Sequence, residues 1–393
     1  MACADLDLPV GKRDIGVSRR QGFQLQAPRR FSTALGLLMA ACLIALVVPS
    51  LARAGTAQIE DPDPGGPHLT FTATSGETNH LYLLFAPGGY RVIDLGAAIT
   101  AGLGCSSVSS SEVFCAFVVD FDDESPTIDI LLGDQGDFAS VAGTYSDEIT
   151  VDGESGADEL ELGAGCELVF DGPCENVLLG GPGDDMLRVE GRFRMDGGPG
   201  GDSMEGGIVD YSTRVNPVTV DGDGVADDGE AGEGDNVASS VFEALGGSAG
   251  DTFSGGVNAR GGRGNDTFTA GVGAHVFEGQ AGDDVCLGSA TRDFCEGGPG
   301  ADQLTGGGSG DDLYGGGGAD TIHGGPGRDS IYGDSGNDLL FGGDGRDFLA
   351  GGPGDDVIRA RDGIRDRIPG GRGFDRARVD RRLDVARSIE AFF

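Results

Sequence analysis

The chain has 393 residues, of which 75 are Gly and 16 Pro, with no Trp, a single lysine (Lys12) and a formal net charge of −38. A surface this acidic excludes a nucleic-acid carrier, which needs a basic face, and one Gly in five is incompatible with a conventional α/β enzyme core. Asp outnumbers Glu by 47 to 18, a bias that favours tight turns and hard-cation ligation over solvated helix faces.

Residues 1–54 read as an export signal. Six of the 27 basic residues fall within the first 30, an apolar run follows from Ala34 to Val48, and Ala52-Arg53-Ala54 supplies a small-residue cleavage site before Gly55. The 15 residues of that run fall short of the roughly 20 that a spanning helix needs, so no membrane span is expected in the mature chain. The remainder carries 20 Arg and 62 acids, a net of −42. It also keeps six cysteines in three close pairs, Cys105/Cys115, Cys166/Cys174 and Cys286/Cys295. An even count in an exported chain reads as disulfides, and nearest-neighbour pairing is one of about 15 connectivities.

Residues 55–132 contain strand-like runs separated by turns: Leu69–Thr74, Leu81–Phe85, Tyr90–Asp94, Val113–Val119 and Ile128–Leu132. They predict a small N-terminal β cap or sandwich. Over 133–205 a nine-residue period emerges, with turn glycines partly eroded. Units starting at Gly153, Leu162, Asp171 and Gly180 place Asp158, Glu167, Asn176 and Asp185 sixth. A strict period would put Asp158 and Asn176 on one face, and Glu167 and Asp185 on the other. Gly197–Glu205, with Asp202 sixth, is one residue out of phase. Residues 206–245 break the period with an acidic insertion, in which Asp221, Asp223, Gly224 and Asp227 resemble a calcium loop, although Val225 and Ala226 depart from the EF-hand pattern.

Residues 246–359 form the main repeat array, opening on a looser unit, Gly246–Ser254 with Asp251 sixth, and strict in period from Gly261 to Arg359. Successive units from Gly297 read GGPGADQLT, GGGSGDDLY, GGGGADTIH, GGPGRDSIY, GDSGNDLLF, GGDGRDFLA and GGPGDDVIR. The sixth position is Asp266, then His275, then nine consecutive aspartates: Asp284, Asp293, Asp302, Asp311, Asp320, Asp329, Asp338, Asp347 and Asp356. The eighth is always apolar or Cys, from Phe268 to Ile358. The glycine half of each unit makes a tight turn, and the second half is a short strand with one inward side chain. One side chain per unit cannot stabilise a coil alone, so the coils must stack. Cys286 and Cys295 occupy consecutive inward positions and so would face each other across the core.

The pattern GGxGxDxUx, with U apolar, resembles the nonapeptide of repeats-in-toxin (hemolysin-type) calcium-binding proteins. The resemblance covers residues 261–359 and implies an all-β fold, a right-handed parallel β-roll or β-helix solenoid that binds Ca²⁺. The physical argument agrees. Two units make a coil of ~18 residues, so residues eighteen apart stack at roughly 4.8 Å. Asp284, Asp302, Asp320, Asp338 and Asp356 form one column with Asp266 below, and Asp293, Asp311, Asp329 and Asp347 form the other. Like charges ~5 Å apart repel by roughly 1 kcal/mol in bulk water and ~3–4 kcal/mol at an effective dielectric of 20. Ca²⁺ between stacked turns reverses that sign by taking oxygens from carboxylates and turn carbonyls, whereas Mg²⁺ demands strict octahedral geometry and keeps its waters. One ion per adjacent pair predicts about eight. His275 is a poor calcium ligand, and its coil is expected to lack a site on that face; Ala290-Thr291 and Ser309 interrupt fourth-position glycines.

Residues 360–393 form an Arg-rich terminus suited to capping an open coil end. No catalytic motif is credible. None of His68, His80, His275 and His323 is followed by Glu, and the G-x-S-x-G match at Gly246–Gly250 runs straight into a nonapeptide rather than a helix. The expectation is therefore a non-enzymatic, secreted or cell-surface protein that folds on binding calcium, with a structural or adhesive role. The alternatives are a carbohydrate- or matrix-binding module using the outward Tyr314 and Tyr332, and a polysaccharide-acting enzyme on the same scaffold.

Overall fold

The computed structural model describes residues 54–60, 68–86, 89–103, 105–116, 127–142, 148–163 and 176–393. The export signal (Ala54 apart), Glu167 and the Cys166/Cys174 pair lie outside the described residues.

Each repeat unit folds as its pattern dictates. In Gln303–Thr305 the central Leu304 is fully buried between two outward neighbours. The strand then pairs in parallel, eighteen residues on, with Thr321–Gly327, setting Leu304 against Ile322. Repetition of this step builds a parallel β-solenoid of about 14 turns. Among the described residues there is no helix, and the main sheets have 17, 9 and 11 strands. The 17-stranded sheet forms one face of the stack throughout. The opposite face belongs first to the 9-stranded sheet, which ends at Asn236–Val237, and then to the 11-stranded sheet, entered at Val218–Val220. Between the faces runs a single file of inward side chains, including Leu304, Leu313, Ile322, Ile331, Leu340, Leu349 and Ile358, all fully buried. Cys286 and Cys295 are both buried in this file and joined by a disulfide.

The N-terminal β region closes one end. His80–Ala86, Gly89–Asp94, Glu112–Ala116 and Cys105–Ser107 pair antiparallel in that order, with a disulfide between Cys105 and Cys115. His68–Thr72 and His80–Ala86 also pair in parallel with the first coil, at Thr127–Leu131 and Phe138–Ala142. The region therefore continues the solenoid's sheets rather than forming a separate sandwich.

Two features depart from strict nine-residue spacing. Asp158 and Asn176 do not share a face. Leu160 stacks on Leu187, a step of 27 residues rather than 18, which brings Asp185 over Asp158 in the 9-stranded sheet and leaves Asn176 beside the 17-stranded one. Residues 206–245 are not an excursion outside the stack. Ile208–Asp210, Val218–Val220, Asn236–Val237 and Glu243–Leu245 enter all three sheets, and the second face changes hands there. At the C-terminus Arg367–Pro369, Arg376–Val379, Val385–Arg387 and Ala391–Phe392 continue the two sheets as the last coils.

Candidate metal centre

The turns pack so closely that side chains are excluded from them. A Cβ on Gly318 would lie 1.5 Å from the carbonyl oxygen of Gly300, and one on Gly336 would lie 1.3 Å from that of Gly318. Both glycines also have φ in the left-handed region, at +142° and +150°. Glycine is thus required twice over, by conformation and by contact. The consequence is a row of turn carbonyls stacked along the solenoid beside the sixth-position aspartates.

Those aspartates make two ladders. The backbone N–H of Asp266 donates to Asp284 Oδ1 at 2.7 Å, and the same bond recurs from Asp284 to Asp302, Asp320, Asp338, Asp356 and Asp375 at 2.8–3.1 Å. On the other sheet it links His275, Asp293, Asp311, Asp329, Asp347, Asp366 and Asp384 at 2.9–3.0 Å. All ten candidate ligands from the sequence therefore fall in two columns, and each is at most 3% exposed. One oxygen of each carboxylate is spent on the preceding coil's backbone. The other, Oδ2, is buried without any hydrogen-bond donor in Asp266, Asp284, Asp302, Asp311, Asp320, Asp329, Asp338, Asp347, Asp356, Asp366 and Asp375. A buried anionic oxygen without a donor is costly, and a hard cation removes the cost by direct ligation. The donor set, carboxylate plus carbonyl oxygen only, fits Ca²⁺.

Asp293 differs. Its Oδ2 accepts from the Ser289 N–H at 2.6 Å and from the Ser289 hydroxyl at 3.0 Å. Ser289 belongs to the irregular turn that carries Ala290-Thr291, so the turn supplies from within the donors that the regular turns lack. His275 keeps the sixth-position place with its ring edge-on to Phe268.

Burial pushes the carboxyls of Asp266, Asp302, Asp329, Asp338 and Asp366 up to about 7, and those of Asp284, Asp311 and Asp356 up to about 6. Asp320, Asp347 and Asp375 are raised by the same desolvation. The donated backbone N–H opposes the rise in each case, and neighbouring carboxylates add to it.

Asp251, Asp366 and Asp384 belong to the ladders although strict periodicity misses them. Asp251 and Asp366 stand 15 and 19 residues from Asp266 and Asp347, because single coils here are shortened or lengthened, and Asp384 follows Asp366 at the regular 18 but inherits the one-residue shift. The inward file gives the better signal, since Phe253 pairs with Phe268 at the same 15-residue step. In the acidic loop, Asp221, Asp227 and Asp228 bring carboxylate oxygens within 4.8 Å of one another. Asp223 is not in that group, and both Asp228 oxygens already accept backbone N–H groups of Asp221 and Val237. Tyr314 and Tyr332 stack with centroids 4.8 Å apart and parallel planes, the strand spacing itself, so their ring faces cover each other.

Glycine turns bearing stacked buried carboxylates along a parallel β-solenoid define a repeat β-roll. The RTX calcium-binding nonapeptide repeat matches residues 260–295, 287–322, 296–331, 314–349, 323–358, 332–366 and 341–377. Residues 260–377 are thus a run of RTX repeats, a Ca²⁺-binding type. No curated protein matches the chain.

Proposed function

We propose that this is an exported protein whose solenoid is completed by calcium outside the cell, with a structural or surface role and no catalytic activity of its own. The observation that carries the reading is the file of buried Oδ2 atoms without donors. The column from Asp266 to Asp375 holds seven of them and that from Asp311 to Asp366 four, which gives about nine intervals for an ion where the period alone gives about eight. Asp293 is left out, its Oδ2 already satisfied by Ser289. RTX repeats and the disulfides at Cys105–Cys115 and Cys286–Cys295 suit an extracellular protein.

Calcium is scarce inside cells and plentiful outside, so binding energy serves as folding energy after export. The G-x-S-x-G match forms no nucleophile elbow around Ser248. That serine sits in a turn between strands, with its Oγ donating to the Arg214 carbonyl at 3.4 Å. The adjacent cavity is lined by Ser212, Arg260, Arg263 and Gln280, without a histidine. Calorimetric titration of the metal-stripped chain tests the proposal. The expected result is uptake of on the order of nine or more Ca²⁺ per chain with no comparable uptake of Mg²⁺. No calcium uptake, or equal uptake of both ions, would contradict it.

A further inference from the structure

The RTX match begins at residue 260, yet the same turn geometry occurs well upstream. Gly153–Asp158, Gly180–Asp185 and Gly197–Asp202 stack one on another at the edge of the 9-stranded sheet. The Asp158 N–H donates to Asp185 Oδ1 at 2.7 Å and the Asp185 N–H to Asp202 Oδ1 at 2.9 Å. The three side chains are 2%, 3% and 1% exposed, and in all three Oδ2 is buried without a donor.

The cradle around these oxygens matches the RTX turns in detail. A Cβ on Gly153, Gly180 or Gly197 would lie 2.5, 2.5 and 2.3 Å from Oδ2 of Asp158, Asp185 and Asp202. The corresponding values for Gly279, Gly315 and Gly333 against Asp284, Asp320 and Asp338 are 2.3, 2.4 and 2.4 Å. At the fourth position, Gly183 and Gly200 approach the carbonyls of Gly156 and Gly183 with virtual Cβ distances of 1.4 and 1.5 Å, as Gly318 approaches Gly300 at 1.5 Å. Glu154, with φ of +62°, holds the same left-handed second position as Asp334 at +63°. The next aspartate up the column breaks the series, because Asp235 Oδ2 accepts from the Tyr211 hydroxyl at 2.8 Å.

We propose that these three turns form a second calcium array, outside the RTX-matched segment, holding an ion between Asp158 and Asp185 and another between Asp185 and Asp202. The ligands are the free carboxylate oxygens together with stacked turn carbonyls, an all-oxygen set suited to Ca²⁺. The inference rests on the reading that the same geometry binds calcium in residues 260–377.

The test is bound calcium per full-length chain at saturation, measured after equilibrium dialysis for the wild type, Asp185→Asn, Asp202→Asn and Asp320→Asn. Asparagine keeps the Oδ1 acceptor, so each ladder bond can persist. Asp185→Asn is expected to lose about two ions and Asp202→Asn about one, with Asp320→Asn losing about two independently. In parallel, calcium protection against trypsin at the exposed Arg192, which lies between the second and third turns, should need about tenfold more calcium in Asp185→Asn; this readout serves even if that variant is partly unfolded. Unchanged counts in both upstream variants, alongside a loss in Asp320→Asn, would overturn the second array while leaving the RTX reading intact. Unchanged counts in all three variants would overturn both.

Discussion

Asp320 and Asp293 occupy the same repeat position, but their second oxygens have different surroundings. Asp320 Oδ2 has no donor, whereas Asp293 Oδ2 is held by Ser289. Replacing Asp320 and Asp338 together with Asn should therefore raise the calcium midpoint of folding by about tenfold or more, a loss of at least about 1.4 kcal/mol. Calcium titrations followed by circular dichroism check this, and an unchanged midpoint would mean that the free oxygen is not the ligand. The glycines behave similarly. Gly336→Ala sets a methyl group on the Gly318 carbonyl and should cost on the order of 3 kcal/mol or more. Gly256→Ala, with nothing within 4 Å of the added carbon, should stay within about 0.5 kcal/mol of the wild type in denaturant unfolding.

Each strand contributes one inward side chain and each turn one carboxylate, so the properties of the ladder are those of the stacked element. The carboxyls that burial raises from 3.8 to about 6–7 bind protons more tightly in the folded chain than in the unfolded one. By linkage, the metal-free fold is then favoured at acid pH and loses stability as the pH rises through roughly 4 to 7. Metal-stripped protein should accordingly show more strand signal in far-UV circular dichroism at pH 5 than at pH 7.5. With calcium present protons compete for the same oxygens, and the calcium midpoint should rise as the pH falls. A metal-free strand signal that increased with pH would contradict the burial of the ladder.

How much of this was legible depends on the regularity of the elements. The eighteen-residue steps from Asp266 to Asp356 and the inward file from Phe268 to Ile358 could be read directly, because Asp recurs at each of those steps and the eighth position is always apolar or Cys. The successive inward positions of Cys286 and Cys295 placed the two sulfurs face to face but left open a disulfide or two buried thiols, and the structure has the disulfide. The coil joining Leu160 to Leu187 could not be phased from a nine-residue rule, since its step of 27 residues shifts every later residue by half a coil. The pairing of Asp158 with Asp185 rather than with Asn176 was hidden for that reason. Strands of two or three residues within 206–245, such as Asn236–Val237, are too short to carry a periodic signal. The capping of Asp293 by Ser289 depends on a local turn conformation that composition does not encode.

Over the whole molecule, the stack is held together by its interior file and opposed by its own charge. A net of −38 on 393 residues, with eleven donor-free carboxylate oxygens between Asp266 and Asp375, makes the metal-free solenoid self-repelling at neutral pH. The ends are treated differently from the middle. Asn79, an uncharged amide, donates its N–H to Asp137 Oδ1 where one column begins, while Glu390 accepts from the Asp375 N–H where another ends. At the Arg-rich end Arg359 and Arg367 lie over the rings of Phe341 and Phe348, at 5.1 and 5.3 Å. Such a molecule should order along its length as ions enter, each filled interval stabilising its neighbours.

The most direct measurement is far-UV circular dichroism of the metal-stripped chain at pH 7.5, recorded before and after millimolar Ca²⁺ and, separately, millimolar Mg²⁺. The account predicts a largely unordered spectrum that converts to strand with calcium and stays unordered with magnesium. A strand spectrum already complete without any divalent ion would contradict it.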